Sequence, residues 1–301
     1  MKTNIKIIIA AALATVSFSA CNRLDIGGMF FSGGSHTEAR VARWLEWNEA
    51  HGDNVISGVP DSYSFYACSD VHVTDNPERV AKFLIDERTD PSAQFSIIMG
   101  DLANESGEEP FRQINRVITG NGATGPNPTR HDTCFCIIGN HDIYFDCEEY
   151  YEKYFHTSTY TLTVETVSGA KDLFIFLDSG NATHGRRQTD WLRQVLEQRS
   201  EYRNCVVCTH TCLFRNSYDY STTPAASLPQ EECYELLDMM SENNVNLFMM
   251  GHFHHRESHE IGGVKYVMTD NLNEEAETPS YLVVNCSNSG VDYRYQDLVN
   301  F

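Results

Sequence analysis

Side chains that could bind metal ions occur in five short clusters, and each cluster follows an apolar run typical of a β-strand. Because α/β proteins bind ligands at the carboxyl ends of strands, we expect the five clusters to meet in one crevice. The clusters are Asp70-Val71-His72, Gly100-Asp101, Gly139-Asn140-His141-Asp142, Thr209-His210 and Gly251-His252-Phe253-His254.

The spacing within two clusters supports a shared site. Asp70 and His72 are two residues apart, as are His252 and His254. An extended backbone would place both side chains of each pair on the same face. Glycine precedes the polar residues of three clusters and allows a tight turn where a Cβ would intrude: Gly100, Gly139 and Gly251.

The donor types indicate metal chemistry. Two Asp, one Asn and four His form the mixed nitrogen and oxygen set that first-row divalent metals prefer. About seven donors exceed the usual four to six of one ion, so two ions sharing one carboxylate would use the set best. Two such cations roughly 3.5–4 Å apart are typical of phosphate-cleaving enzymes.

In this order, the motifs Asp-x-His, Gly-Asp, Gly-Asn-His-Asp, a His after an apolar strand, and Gly-His-x-His resemble the calcineurin-like metallophosphoesterases, over about residues 63–254. The resemblance implies two divalent metal ions (Mn, Fe or Zn) and a phosphoric ester hydrolase. Purple acid phosphatases of this superfamily carry a Tyr where this chain has Asn104, so we expect no obligatory ferric ion. The implied ligands are Asp70, His72 and His254 for the first metal, Asn140, His210 and His252 for the second, and Asp101 as the bridge.

The mechanism implied by the resemblance is attack on phosphorus by a hydroxide that bridges the two metals, with no protein nucleophile. His141 resembles the family's general acid, and we expect Asp142 to orient it and keep it charged. The substrate is then a small phosphate ester, and monoester, diester, nucleotide and pyrophosphate substrates all stay open. The alternative is a catalytically silent metal-binding lipoprotein on the same fold.

The alternation of helix-like and strand-like segments after Thr37 predicts one α/β domain over residues 37–301. The resemblance implies a four-layer αββα sandwich of the metallo-dependent phosphatase type, with two mixed β-sheets flanked by helices. Two long loops, 121–130 and 216–229, are expected to wall the site.

The N-terminus has the three parts of a secretory signal peptide over residues 1–20, with a basic start, an apolar run and small residues before Cys21. Phe18-Ser19-Ala20-Cys21 resembles the bacterial lipobox, which predicts an acylated Cys21 and a flexible tether over residues 21–36. We therefore expect an exported lipoprotein of the periplasm or cell envelope. A plain signal peptide cut near Ala20 is the alternative.

Charge limits the partners. The chain has 22 basic and 42 acidic residues, a formal charge of −20, and removal of residues 1–20 would make it −22. Such a surface repels phosphate backbones, so no nucleic acid polymer is expected, and membrane contact is expected only through the anchor at Cys21. The oligomeric state stays open.

A cysteine-based redox protein is the remaining alternative. Cys205-x-x-Cys208 could indicate a redox protein, but the pair lies in a strand-like run rather than at a helix N-terminus. We expect buried thiols instead, with one possible disulfide between Cys208 and Cys212.

Overall fold

The computed structural model describes residues 37–104, 107–120, 134–214 and 228–299. Six α-helices lie in this part of the chain. They are α1 (Thr37–His51), α2 (Glu78–Thr89), α3 (Glu109–Ile118), α4 (Glu148–Phe155), α5 (Gly185–Glu197) and α6 (Gln230–Glu242). Short 3₁₀ helices follow β4 and α5, at His141–Asp146 and Arg199–Glu201.

Twelve β-strands lie in the same described ranges. They are β1 (Asn54–Val59), β2 (Tyr63–Cys68), β3 (Ala93–Met99), β4 (Cys134–Ile137), β5 (Tyr160–Thr166), β6 (Lys171–Phe176), β7 (Asn204–Cys208), β8 (Leu247–Met250), β9 (Glu257–Ile261), β10 (Val264–Met268), β11 (Ser280–Ser287) and β12 (Gly290–Asp297).

The strands form two mixed sheets. One has seven strands in the order β1-β5-β6-β7-β8-β10-β9, and the other has five in the order β12-β11-β2-β3-β4. β2, β3 and β4 are parallel neighbours in the smaller sheet, and β6, β7, β8 and β10 are parallel neighbours in the larger one. The predicted pair of mixed sheets is confirmed.

The two sheets pack face to face over an apolar layer. At its centre Phe65 of β2, Phe95 of β3 and Phe174 of β6 are fully buried, and each pair of ring centroids is 5.1 Å apart. Such aromatic pairs contribute about 0.5–1.5 kcal/mol beyond the area that they bury. Side chains that alternate inward along each strand therefore join the sheets into one sandwich.

Helices cover both outer faces. α2, α3 and α4 pack on the five-stranded sheet, whereas α5 and α6 pack on the seven-stranded sheet. α3 shows why, because Phe111, Ile114 and Val117 recur on one face and are buried. The four-layer αββα arrangement is confirmed.

Two strands are not predicted by the sequence patterns. β1 and β9 lie at the edges of the seven-stranded sheet and carry mostly exposed residues, so no apolar alternation reveals them. α5 begins at Gly185, and the Glu38 carboxylate of α1 accepts backbone N–H groups of Arg186 and Arg187 in its first turn. The expected wall loops, 121–130 and most of 216–229, lie outside the described residues. Among those described, no helix is both long and apolar enough to cross a bilayer.

Candidate metal centre

All five polar clusters follow strands whose carboxyl ends meet. β2, β3 and β4 supply three of them from the smaller sheet, and β7 and β8 supply two from the larger sheet. Backbone bonds tie neighbouring clusters together: His72 N donates to Asp101 O at 2.9 Å, and Gly251 N donates to His210 O at 2.9 Å. The expected convergence is therefore seen, with donors from both sheets.

Five of the donor residues have a left-handed backbone rather than an extended one. The φ angles are 54° at Asp70, 41° at His72, 50° at Asp101, 79° at His252 and 57° at His254. A non-glycine residue held there costs about 1–3 kcal/mol. The expectation of an extended backbone at the two i, i+2 pairs is wrong. Asp70 and His72 still share one donor group, whereas His252 and His254 fall in different groups.

Asp101 lies at the middle of the centre and is 2% exposed. Its Oδ2 is 3.5 Å from His72 Nε2 and 3.3 Å from His210 Nε2. Its Oδ1 accepts the backbone N–H of His141 at 2.8 Å, which fixes the carboxylate plane. One carboxylate therefore faces two sets of imidazole donors.

The first donor group consists of Asp70, His72 and His254, whose ligand atoms all lie within 4.8 Å of one another. His254 Nε2 is 3.2 Å from Asp70 Oδ1 and 3.3 Å from His72 Nε2. The other oxygen of Asp70 accepts the backbone N–H of His252 at 2.9 Å. The group thus joins the end of β2 to the end of β8.

The second donor group consists of Asp101, Asn140, His210 and His252. The ligand atoms of Asp101, His210 and His252 lie within 4.8 Å of one another, and Asn140 Oδ1 is 3.1 Å from His210 Nε2. His210 Nδ1 is 2.9 Å from the carbonyl oxygen of Met99, which turns Nε2 toward the centre.

His141 lies beside both groups. Its ring packs edge-on against His72 at 4.5 Å between centroids, and a ring nitrogen lies within 4.8 Å of ligand atoms of His72 and Asp101. Asn140 has helical angles (φ −74°, ψ −30°), and His141 begins a 3₁₀ helix. This helical turn directs the Asn140 amide and the His141 ring apart.

Buried charge sets the protonation of the centre. Burial alone would raise the pKa of Asp101, but His210, His72 and His141 outweigh it and hold that pKa below its usual range. Burial would lower the pKa of His210, yet Asp101 and Asp70 raise it to about 10. In the metal-free centre, the raised pKa values of His210 and His254 favour imidazolium groups that offset the carboxylates, whereas burial lowers the pKa of His72.

The donor set fits divalent cations. Carboxylate, amide and imidazole donors suit Mn, Fe or Zn, and two fully buried carboxylates are costly without nearby positive charge. Among the described residues, three overlapping sets of side chains meet the spacing for a metal ion; His72 belongs to two of them, and so does Asp101. A bound cation would replace the proton that His210 carries in its absence.

Two glycines permit the close approach of the clusters. A Cβ on Gly139 would lie 2.2 Å from the backbone nitrogen of Asp101, and one on Gly251 would lie 1.9 Å from Ser69 Oγ. The expectation that a side chain would intrude at these positions is confirmed.

The structure does not support the expected role of Asp142 in orienting His141. Its carboxylate is fully buried and accepts backbone N–H groups of Leu102, Ala103 and Gly139 at 2.8–2.9 Å, rather than facing the ring of His141. Asp142 therefore clamps the turn after β3 to the turn after β4. Sequence adjacency to His141 was misleading because the helical turn points consecutive side chains apart.

Tyr144 is a site residue that the sequence patterns did not reveal. Its hydroxyl accepts the Nδ2–H of Asn140 at 3.0 Å, and its ring lies 5.2 Å from that of His141. Binding the amide nitrogen leaves Asn140 Oδ1 facing the metal donors. The only signal was its position four residues after Asn140, one helical turn away.

Cysteine chemistry is not supported. All nine cysteines in the described residues are free, so the possible Cys208–Cys212 disulfide is not formed. Burial raises the pKa of Cys205 to about 12 and that of Cys208 far above its usual value. Thiols that resist ionisation inside β7 are poor redox nucleophiles.

Comparison with known proteins supports the class that this geometry indicates. The family model described as calcineurin-like phosphoesterase matches residues 63–256, which contain all five clusters. The chain belongs to this family. A search of curated proteins found no match.

Solved structures show the same fold. A dimetal phosphatase from Danio rerio aligns with a TM-score of 0.55 at 12% identity, covering 80% of this chain and 98% of that one. GAP50, described as the anchor in the inner membrane complex of Plasmodium, aligns at 0.54 and 11%, covering 79% and 85%. Purple acid phosphatase PPD1 from yellow lupin (Lupinus luteus) aligns at 0.53 and 11%, covering 81% and 52%. At these identities the likeness concerns the fold.

Proposed function

We propose that this chain is a metal-dependent phosphoric ester hydrolase that binds two divalent cations and acts on a small phosphate ester. The observation that carries the proposal is the position of Asp101 Oδ2 between His72 and His210, 3.5 Å and 3.3 Å away. A carboxylate shared by two donor groups is what a dinuclear centre requires.

The cations would lower the pKa of a water molecule and neutralise phosphoryl charge when bound. The chain's own residues would hold them in place: Asp70, His72 and His254 for one cation, and Asn140, His210 and His252 for the other, with Asp101 shared. Tyr144 and the carbonyl of Met99 orient Asn140 and His210 for this task.

His141 is the proposed general acid, which holds a proton for the oxygen of the departing group. Its ring lies at the rim of the centre, close to His72, and its Nδ1 is 3.4 Å from the carbonyl oxygen of Asn104. That contact orients the ring so that Nε2 can face a bound ester.

A small substrate is favoured by charge and by space. The formal charge of −20 opposes binding of a polyanionic strand, whereas the cations make the centre itself attractive to a single phosphate. A cleft of about 410 Å³ opens beside the first donor group and could take the leaving group. It is lined by His254, His255, Arg256, Asp270, Thr278 and Asp297.

A substrate panel tests the proposal. The full-length protein, loaded with Mn²⁺ or Zn²⁺ and assayed for metal content, is offered p-nitrophenyl phosphate, its bis ester, a nucleotide and a pyrophosphate. We expect hydrolysis of at least one class with about two metals per chain. Metal-loaded protein that hydrolyses none of them would favour the silent metal-binding alternative.

His141→Ala tests the acid role. Loss of the proton donor should slow an ester with an alkyl leaving group by about 10²–10⁴-fold. Because p-nitrophenolate leaves without protonation, p-nitrophenyl phosphate should be slowed much less. Equal slowing of both esters in a kcat comparison would remove His141 from this role.

We also propose that the domain spans residues 37–301 and is held at the cell envelope through an acylated Cys21 after export. The lipobox-like residues 18–21 support this proposal. Metabolic labelling with a fatty acid should be lost in Cys21→Ser, and labelling that persists in this variant would refute it.

A further inference from the structure

Helix α1 lies before the family-matched residues 63–256, yet it carries a charged side chain into the interior. Arg40 is 0% exposed, and a buried guanidinium is costly unless it is paired. Its Nε donates to Asp178 Oδ2 at 2.8 Å, and its Nη1 lies 3.4 Å from Glu148 Oε2. Arg40 therefore joins two segments that are far apart along the chain.

The Asp178 branch leads to His210. Asp178 follows β6, and its Oδ1 accepts the N–H of Gly180 at 2.8 Å, which shapes the turn around Ser179. Ser179 Oγ accepts the backbone N–H of Thr211 at 2.8 Å and the hydroxyl of Thr209 at 2.9 Å. These threonines are the two neighbours of His210.

The Glu148 branch leads to Asn140. Glu148 begins α4, which follows the 3₁₀ helix that starts at His141 directly after Asn140. The two branches also meet, because a Cβ on Gly180 would lie only 3.0 Å from the carbonyl oxygen of Gly139. Asn140 Oδ1 and His210 Nε2 end up 3.1 Å apart.

The geometry points to Arg40 as a positioning residue that sets the second donor group by fixing the turn at Ser179 and the segment at Asn140. This inference rests on the proposed dinuclear centre. Asp70, His72 and His254 are attached to the ends of β2 and β8 instead, so the first donor group does not depend on these two branches. Through Arg40, helix α1, which lies outside the family match, supports the second donor group.

Titration of the metal-free, full-length protein with Mn²⁺ tests this inference by calorimetry, without any turnover. Wild-type protein should bind two equivalents. Arg40→Met should weaken one equivalent at least tenfold and leave the other within twofold, and Arg40→Lys, which keeps the charge, should recover part of the loss. Ser179→Ala leaves no buried charge unpaired. It should weaken the binding of the same single equivalent, and it provides the test if Arg40→Met does not fold.

Arg203→Met is the matched control. Arg203 pairs with Asp172 at 2.6 Å near the start of β6, at the opposite end of the strand that Asp178 follows. We expect this variant to bind both equivalents as wild type does. Unchanged binding in the Ser179 and Arg40 variants, equal weakening of both equivalents, or a selective loss in Arg203→Met would each overturn the role of Arg40. Wild-type protein that fails to take two equivalents would instead overturn the proposed function and this inference with it.

Discussion

At the scale of single residues, Asp101 has a demanding position. It combines full burial, a left-handed backbone angle and an ionised carboxylate that lies between two imidazoles. The burial and the left-handed angle oppose folding, and such strain concentrates at functional sites. The neighbouring imidazoles offset the cost of the buried charge, because they hold the pKa of Asp101 below its usual range. The proposed role in holding cations would explain why the chain tolerates the strain that is left.

Asp101→Asn should therefore remove the shared anionic ligand while keeping the shape of the side chain. Mutation of a residue that only supports a metal ligand typically lowers metal affinity or activity about 10–100-fold. Because Asp101 is itself a proposed ligand, we expect activity to fall by at least about 10²-fold and metal content to fall with it. The measurement is kcat/KM together with metal analysis of the same sample.

Asp90→Asn offers a control, because Asp90 lies just before β3 and Asp101 follows it. Its carboxylate bonds to Ser92 and Tyr66, away from the metal donors. Full activity in Asp101→Asn, or equal loss in both variants, would contradict the bridging role.

At the scale of elements, the turns after the strands do the positioning. The turn between β6 and α5 contains no metal donor, but it carries residues that support the donors. They are Asp178, Ser179 and a buried histidine. His184 is 2% exposed, and its Nδ1 is 2.9 Å from the carbonyl oxygen of Asp178. Burial lowers the pKa of His184 to about 4, and the backbone contact offsets only part of that effect.

His184 should make the stability of this element depend on pH. Its folded pKa of about 4 lies below the ordinary value of 6.5, so the unfolded chain binds the extra proton between these values. The contribution of neutral His184 to the free energy of unfolding is complete above pH 6.5. It is lost as the pH falls toward 4, by an amount on the order of 3 kcal/mol.

Urea unfolding of metal-free protein at several pH values checks this effect. The free energy of unfolding of His184→Asn should fall less steeply from pH 6.5 to 4 than that of wild type. The same substitution at the exposed His51, outside this turn, serves as the control. Parallel curves for wild type and His184→Asn would rule out the buried neutral histidine.

At the scale of the whole molecule, the metal centre spans the two sheets of the sandwich. The first donor group takes Asp70 and His72 from the five-stranded sheet and His254 from the seven-stranded sheet. The second takes Asp101 and Asn140 from the smaller sheet and His210 and His252 from the larger one. Bound cations would therefore link the sheets at the edge of the apolar layer.

Metal removal should then lower the stability of the entire domain. A cation at 100 times its dissociation constant adds about 2.7 kcal/mol to the native state. For a domain of this size we expect the thermal midpoint to fall by at least about 5 °C when a chelator is added. Calorimetric scans with and without EDTA measure the shift, and restoring Mn²⁺ should reverse it. An unchanged midpoint in protein shown to lose its metal would argue against a link between the sheets.

The sequence alone determined the donor types, their order and their attachment to strand ends, because short apolar runs that end in Asp, Asn, His and Gly carry that information locally. It also determined the two-sheet sandwich, through the resemblance that these motifs bear to a known family. β1 and β9 were missed because exposed edge strands lack the apolar alternation on which the prediction depends.

Only the tertiary structure decided which donors face each other and what supports them. The left-handed angles at Asp70 and His254, the clamp formed by Asp142 and the links from Arg40 depend on contacts between segments that are distant along the chain. Such contacts are selected by packing and by the burial of charge, which act on the folded molecule as a whole, and no local pattern records them.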